Sequence, residues 1–79
     1  MREDASRESL EAVARPGVTV REIDCLRLVA EGRTSAEIAL AYAISENTVN
    51  HHLAAVCRKL DALNRTHAVT IALRLGLIE

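Results

Sequence analysis

The sequence contains no Trp and no Phe, and Tyr42 is its only aromatic residue. Any core must therefore be aliphatic, and aliphatic cores rich in Ala suit closely packed helices better than sheets. One Pro and three Gly leave little material for the tight turns of an all-β fold. Two cysteines, Cys25 and Cys57, are too few for a disulfide framework and read as reduced core residues of a cytosolic protein. No apolar run approaches the length of a bilayer span, and the N-terminus is charged. The chain thus reads as soluble and cytoplasmic, without a visible export signal and without a membrane partner. A basic excess is missing too. Ten Lys and Arg stand against eleven Asp and Glu, for a net charge of −1, and residues 19–79 carry seven of each sign. Nucleic-acid binders usually show a basic excess. Any DNA affinity must then come from the placement of charges and from doubling the surface in a dimer.

The length of 79 residues allows one domain at most, near the lower limit for folding without staples, and 49% apolar residues suffice for one modest core. Residues 1–17 alternate charges, hold few large apolar side chains and end in Pro16-Gly17, which stops a helix. They are expected to form a flexible leader or linker, with the folded domain over 18–79.

Local signals divide that domain into four helices. Thr19-Val20-Arg21-Glu22 is a capping box: the Thr hydroxyl can accept from the Glu22 N–H while the carboxylate reaches back to the Thr19 N–H. The first helix runs to about Glu31, with Ile23, Leu26, Val29 and Ala30 inward, and Gly32 sits where a left-handed residue ends a helix. A second box, Thr34-Ser35-Ala36-Glu37, opens a short helix carrying Ile38, Ala41 and Tyr42. Ser45 caps a third helix over 46–60, in which Val49, Leu53, Val56 and Leu60 form one apolar stripe. After the connector Asp61-Ala62-Leu63, Asn64 caps a fourth helix to about Leu75, stopped by Gly76.

The link between helices two and three is only Ala43-Ile44-Ser45. So short a turn favours a steep crossing, the geometry of a helix-turn-helix unit, whose second helix enters the major groove. With the stripe inward, Asn47, Asn50, His51, Ala54 and Arg58 share the outer side, and Ala54 with Ala55 leaves its middle smooth. Asn can make a paired contact to adenine, and an Ala methyl can meet a thymine methyl. Ser45, Thr48, His52, Arg58 and Lys59 flank this surface, where phosphates would lie. From this face alone, a solvated polar surface on an ordinary bundle is an equal reading.

Residues 19–79 resemble the C-terminal DNA-binding domain of the LuxR/FixJ (GerE-like) family of bacterial regulators. The matching runs are Thr19-Val20-Arg21-Glu22, Leu26-Arg27-Leu28-Val29-Ala30-Glu31-Gly32, Glu37-Ile38-Ala39, Ile44-Ser45-Glu46-Asn47-Thr48-Val49, His52-Leu53, Arg58-Lys59-Leu60, Asn64-Arg65-Thr66 and Ala68-Val69. The resemblance implies an all-α, four-helix domain in which helix three reads the groove and helix four, 64–75, pairs with a partner subunit. It implies base reading by Asn50, His51 and Ala54, with Asn47 beside them. Backbone contacts are implied for Arg33, Thr34, Thr48, His52, Arg58 and Lys59, and the flank reading adds Ser45. Pairing on a palindromic operator is expected through Val69 and Leu73, a second apolar line on helix four, together with Thr66 and Thr70. Many members have Lys or Arg at the positions of Asn50 and Ala54, and Gly at those of Ala43 and Asp61. The neutral residues suggest a changed target, and Ala43 is expected to take positive φ. The phrasing from Ser45 to Leu77 is closest to quorum-sensing members. The family carries a regulatory half before this domain, which residues 1–17 cannot supply, so the chain is a cut-out domain or a short stand-alone member.

Two other function classes compete with this reading. An enzyme needs converging acids, bases or nucleophiles in a pocket, and this chain is too small and helical for one. His51 and His52 are about 100° apart on a helix and cannot grip one metal together, and no Cys-x-x-Cys or His-x3–5-His spacing exists. Neither catalysis, metal nor cofactor is expected. The alternative function is an interaction module that pairs with a full-length regulator through helix four and inhibits it.

Overall fold

Each helix begins where a side chain can take up the first free backbone N–H groups. The computed structural model describes residues 17–79; the leader expected over 1–17 lies outside them but for Gly17. Helix α1, Val20–Ala30, starts at an extended Thr19 whose Oγ1 accepts from the Glu22 N–H at 3.1 Å, while Glu22 Oε1 accepts from the Thr19 N–H at 3.0 Å. Helix α2, Ser35–Tyr42, repeats the box between Thr34 and Glu37 at 3.1 and 2.9 Å. Helix α3, Glu46–Leu60, is capped by Ser45 at 3.0 Å, and helix α4, Arg65–Leu75, by Asn64 at 2.8 Å. All four starting caps expected from the sequence are present.

The helix ends depend on left-handed residues. Two of these are not glycine: Ala43, φ 56°, closes α2, and Asp61, φ 59°, closes α3. Ala43 thereby turns the chain into Ile44-Ser45 and the start of α3, as the short link demands. In the connector after Asp61, the Leu63 N–H donates to His67 Nδ1 at 3.0 Å, so the third histidine braces the entry to α4.

Helix α3 is the centre of the bundle and packs against each of the other three helices. Val49, Leu53, Val56 and Leu60 are all buried, as their spacing predicts. They meet Cys25 and Leu26 of α1, Ile38 and Ala39 of α2, Ala68 and Ala72 of α4, and Ile78 beyond α4. Three expectations change. Ala30 and Ala41 are exposed, because the inward arcs centre on Glu22-Cys25-Leu26-Val29 in α1 and on Ile38-Ala39-Tyr42 in α2. Ala55 is buried rather than part of a smooth outer face. It stands four residues before Lys59, on the flank of α3 from which Lys59 reaches α1. Tyr42 ties α2 to α1 by donating to the Asp24 carbonyl at 3.4 Å, with the Arg21 guanidinium 4.5 Å over its ring.

Candidate nucleic-acid interface

The apolar stripe of α3 turns Asn47, Asn50, His51, Ala54 and Arg58 outward, and all five are exposed. No acidic side chain interrupts them; Glu46 lies in the first turn, before the set. A face of amides, imidazole, methyl and guanidinium can donate to, accept from and pack on base edges.

This face does not stand alone. Ser35 Oγ donates to Asn50 Oδ1 at 2.7 Å, Arg65 Nη1 donates to Ser35 Oγ at 3.1 Å, and Arg65 Nη2 donates to Asn50 Oδ1 at 3.4 Å. The first residue of α2, the second turn of α3 and the first residue of α4 are thus laced together at the surface. Arg33 and Thr34 immediately precede Ser35, the residue of α2 that contacts Asn50. Sequence reasoning assigned no role to Ser35 or Arg65. The only signal was the presence of both in stretches that carry other sites, Thr34-Ser35 and Asn64-Arg65-Thr66. An open groove alongside is lined by Asn50, Leu53, Ala54, Cys57, Asn64 and Arg65.

The flanking positions differ in how free they are. Ser45 and Thr48 share a hydroxyl hydrogen bond of 2.8 Å at the start of α3. His52 is half-buried, its ring centroid 6.4 Å from that of the exposed His51. Arg58 is exposed, and neither Arg33, Arg58 nor Arg65 is ion-paired with a described residue. Lys59 requires a correction. One residue on from Arg58, it points about 100° away around the helix. Its ammonium lies 2.8 Å from Glu22 Oε2 and 3.0 Å from Oε1, and it also donates to the Gly17 carbonyl. Lys59 therefore holds α3 to α1 and is not a free cation for a phosphate.

On α4, Leu73 is 48% exposed, and Thr66 and Thr70 are exposed. Val69 is half-buried and packs against the core, so the second apolar line has an internal use along part of its length. Both cysteines are free thiols, Cys25 buried and Cys57 half-buried. Burial pushes both thiols up, opposed by Arg21 at Cys25 and by Arg65 at Cys57.

With this geometry in place, comparison with known proteins is specific. Residues 17–72 match the family model described as bacterial regulatory proteins, luxR family. The quorum sensing-dependent transcriptional regulator RpaR of Rhodopseudomonas palustris is 48% identical over 67 residues, covering 85% of this chain and 28% of its own length. The regulatory protein SdiA of Escherichia coli is 50% identical over 58 residues, covering 73% of this chain and 24% of its own. The transcriptional activator protein AhyR of Aeromonas hydrophila is 40% identical across 99% of this chain and 27% of its own length. Matched stretches thus span about a quarter of these relatives. Among solved structures, the transcription factor GerE superposes with a TM-score of 0.75 at 31% identity, over 77% of this chain and 91% of its own.

Proposed function

The chain belongs to the luxR family of bacterial regulatory proteins, and from that membership we propose that it binds DNA sequence-specifically as the DNA-reading part of a cytoplasmic transcription regulator. Helix α3 enters the major groove, Asn50, His51 and Ala54 meet base edges with Asn47 beside them, and Arg33, Thr34, Ser45, Thr48, His52 and Arg58 hold the backbone. The supporting observation is the acid-free outer face of α3, joined at Asn50 to the first residues of α2 and α4. Exposed helix starts on either side add free N–H groups suited to phosphate. Two copies pair through α4, at Leu73, Thr66, Thr70 and the exposed part of Val69, and bind a palindromic operator. Relatives named as quorum sensing-dependent transcriptional regulators support a regulatory role of that kind.

Titration with duplex DNA at two salt concentrations tests the reading. A DNA binder loses affinity steeply as salt rises, because phosphate contacts release counterions. The balance of seven basic and seven acidic residues over 19–79 favours one second reading, a module that pairs with a full-length regulator and inhibits it. Formation of mixed dimers with a full-length relative, without binding to duplex DNA at low salt, would establish that reading and overturn the first.

A further inference from the structure

An Asn that makes a paired contact to adenine uses both ends of its amide: the oxygen accepts from adenine N6 and the nitrogen donates to N7. Asn50 has only one end free. Its Oδ1 accepts from Ser35 Oγ at 2.7 Å and from Arg65 Nη2 at 3.4 Å, which occupies both lone pairs. The orientation of the amide follows from its partners. A guanidinium carries donors only, so Arg65 must face the oxygen of Asn50 and not its –NH2. Ser35 Oγ accepts from Arg65 Nη1 at 3.1 Å, which leaves the single hydroxyl proton for Asn50 Oδ1. Turning the amide over would set donor against donor at both contacts. The group left to approach DNA is the –NH2.

We propose that Asn50 reads the major groove as a donor alone and selects a G·C pair, with Ser35 and Arg65 as the positioning residues that set this preference. Guanine presents two acceptors, N7 and O6, to which the two amide protons fit. Adenine keeps one acceptor, N7, but sets its N6 amino group where guanine has O6, and cytosine presents only the N4 amino group. Thymine offers the single acceptor O4. The inference rests on the reading that α3 enters the major groove, and it names which base that reading finds opposite Asn50.

Selection by the 79-residue chain from a randomised duplex library, followed by competition among single-base variants of the selected duplex, tests it. Asn50→Ala identifies the position, since discrimination flattens there. At that position guanine leads adenine on the order of tenfold, the range of one good base-edge contact. Replacing it with 7-deazaguanine, which lacks the N7 acceptor, removes most of the lead, whereas inosine, which keeps N7 and O6, retains it. The Ser35→Ala, Arg65→Ala double variant frees Oδ1, and the guanine-to-adenine ratio falls toward or past one; loss of a phosphate contact alone would weaken all sequences and leave the ratio unchanged. Asn50→Lys, donor-only by nature, keeps the guanine preference. An adenine lead in the unaltered chain, unchanged preferences in Asn50→Ala, or an unchanged ratio in the double variant overturns the inference while leaving DNA reading by the domain in place. Enrichment of no sequence at all overturns that reading, and the inference with it.

Discussion

Lys59 and Glu22, thirty-seven residues apart in sequence, form an ion pair of 2.8 Å between the last turn of α3 and the first turn of α1. Glu22 is 4% exposed, and its carboxylate also accepts from the Thr19 N–H that opens α1. One carboxylate therefore starts a helix and docks it on the proposed recognition helix, so the pose of α3 depends on a residue far from its outer face.

Lys59→Ala is expected to destabilise the domain by roughly 2 kcal/mol, below the usual cost of breaking a buried pair because the Lys59 side chain is partly in water. Thermal or urea unfolding measures the loss. The double variant Glu22→Gln, Lys59→Met should recover most of it, since Gln still serves the capping box and no charge is left buried without a partner. In DNA titrations at a temperature where both variants are folded, Lys59→Ala should leave the salt slope unchanged. Arg58→Ala should lower it by about one unit. A slope lowered equally by both would return Lys59 to the phosphate-binding set.

Ala43 and Asp61 sit in left-handed backbone at φ 56° and 59°. For a residue with a side chain this conformation costs roughly 1 kcal/mol, less for Asp, which tolerates it. Ala43→Gly should therefore raise stability by about 0.5 kcal/mol after the extra unfolded-state freedom of Gly is deducted. Asp61→Gly should gain less. Gly76→Ala, at φ 76°, should lose roughly 1 kcal/mol. Urea midpoints of the three variants check the order, and a destabilised Ala43→Gly would contradict it.

Pairing through α4 predicts weak self-association. The exposed apolar surface there centres on Leu73, too little for a tight dimer without DNA or a regulatory half. Sedimentation at high protein concentration should show wild type associating more than Leu73→Asp, and the difference should widen on palindromic DNA. Equal monomers in both conditions would remove α4 as the pairing surface.

Stability should fall at alkaline pH. Burial pushes the Cys25 and Cys57 thiols and the Tyr42 hydroxyl up, with Asp24 reinforcing the rise at Tyr42. Each group holds its proton more tightly folded than unfolded. Their contribution is complete below the ordinary thiol range of about 8.5 and is lost as pH climbs through the raised folded values. Unfolding midpoints between neutral pH and pH 11 should decline, and the decline should shrink in Cys25→Ala relative to its own neutral value. A flat profile over that range would show that burial does not hold these protons.

Helix number, starting caps and the apolar stripe of α3 were legible because the forces behind them are local. A cap joins residues three apart, a stripe repeats within four, and the left-handed turn at Ala43 follows from a link too short for anything else. The outer face of α3 was legible for the same reason. Its neighbours were not. Helical spacing places Asn50 and Lys59 on opposite flanks of α3, but it does not reveal that Ser35 and Arg65, each fifteen residues away, occupy the oxygen of one, or that Glu22 holds the ammonium of the other. Only the packing of α1, α2 and α4 around α3 decides those contacts, because hydrogen bonds and ion pairs act over about 3 Å and distance along the chain says nothing about which groups come that close.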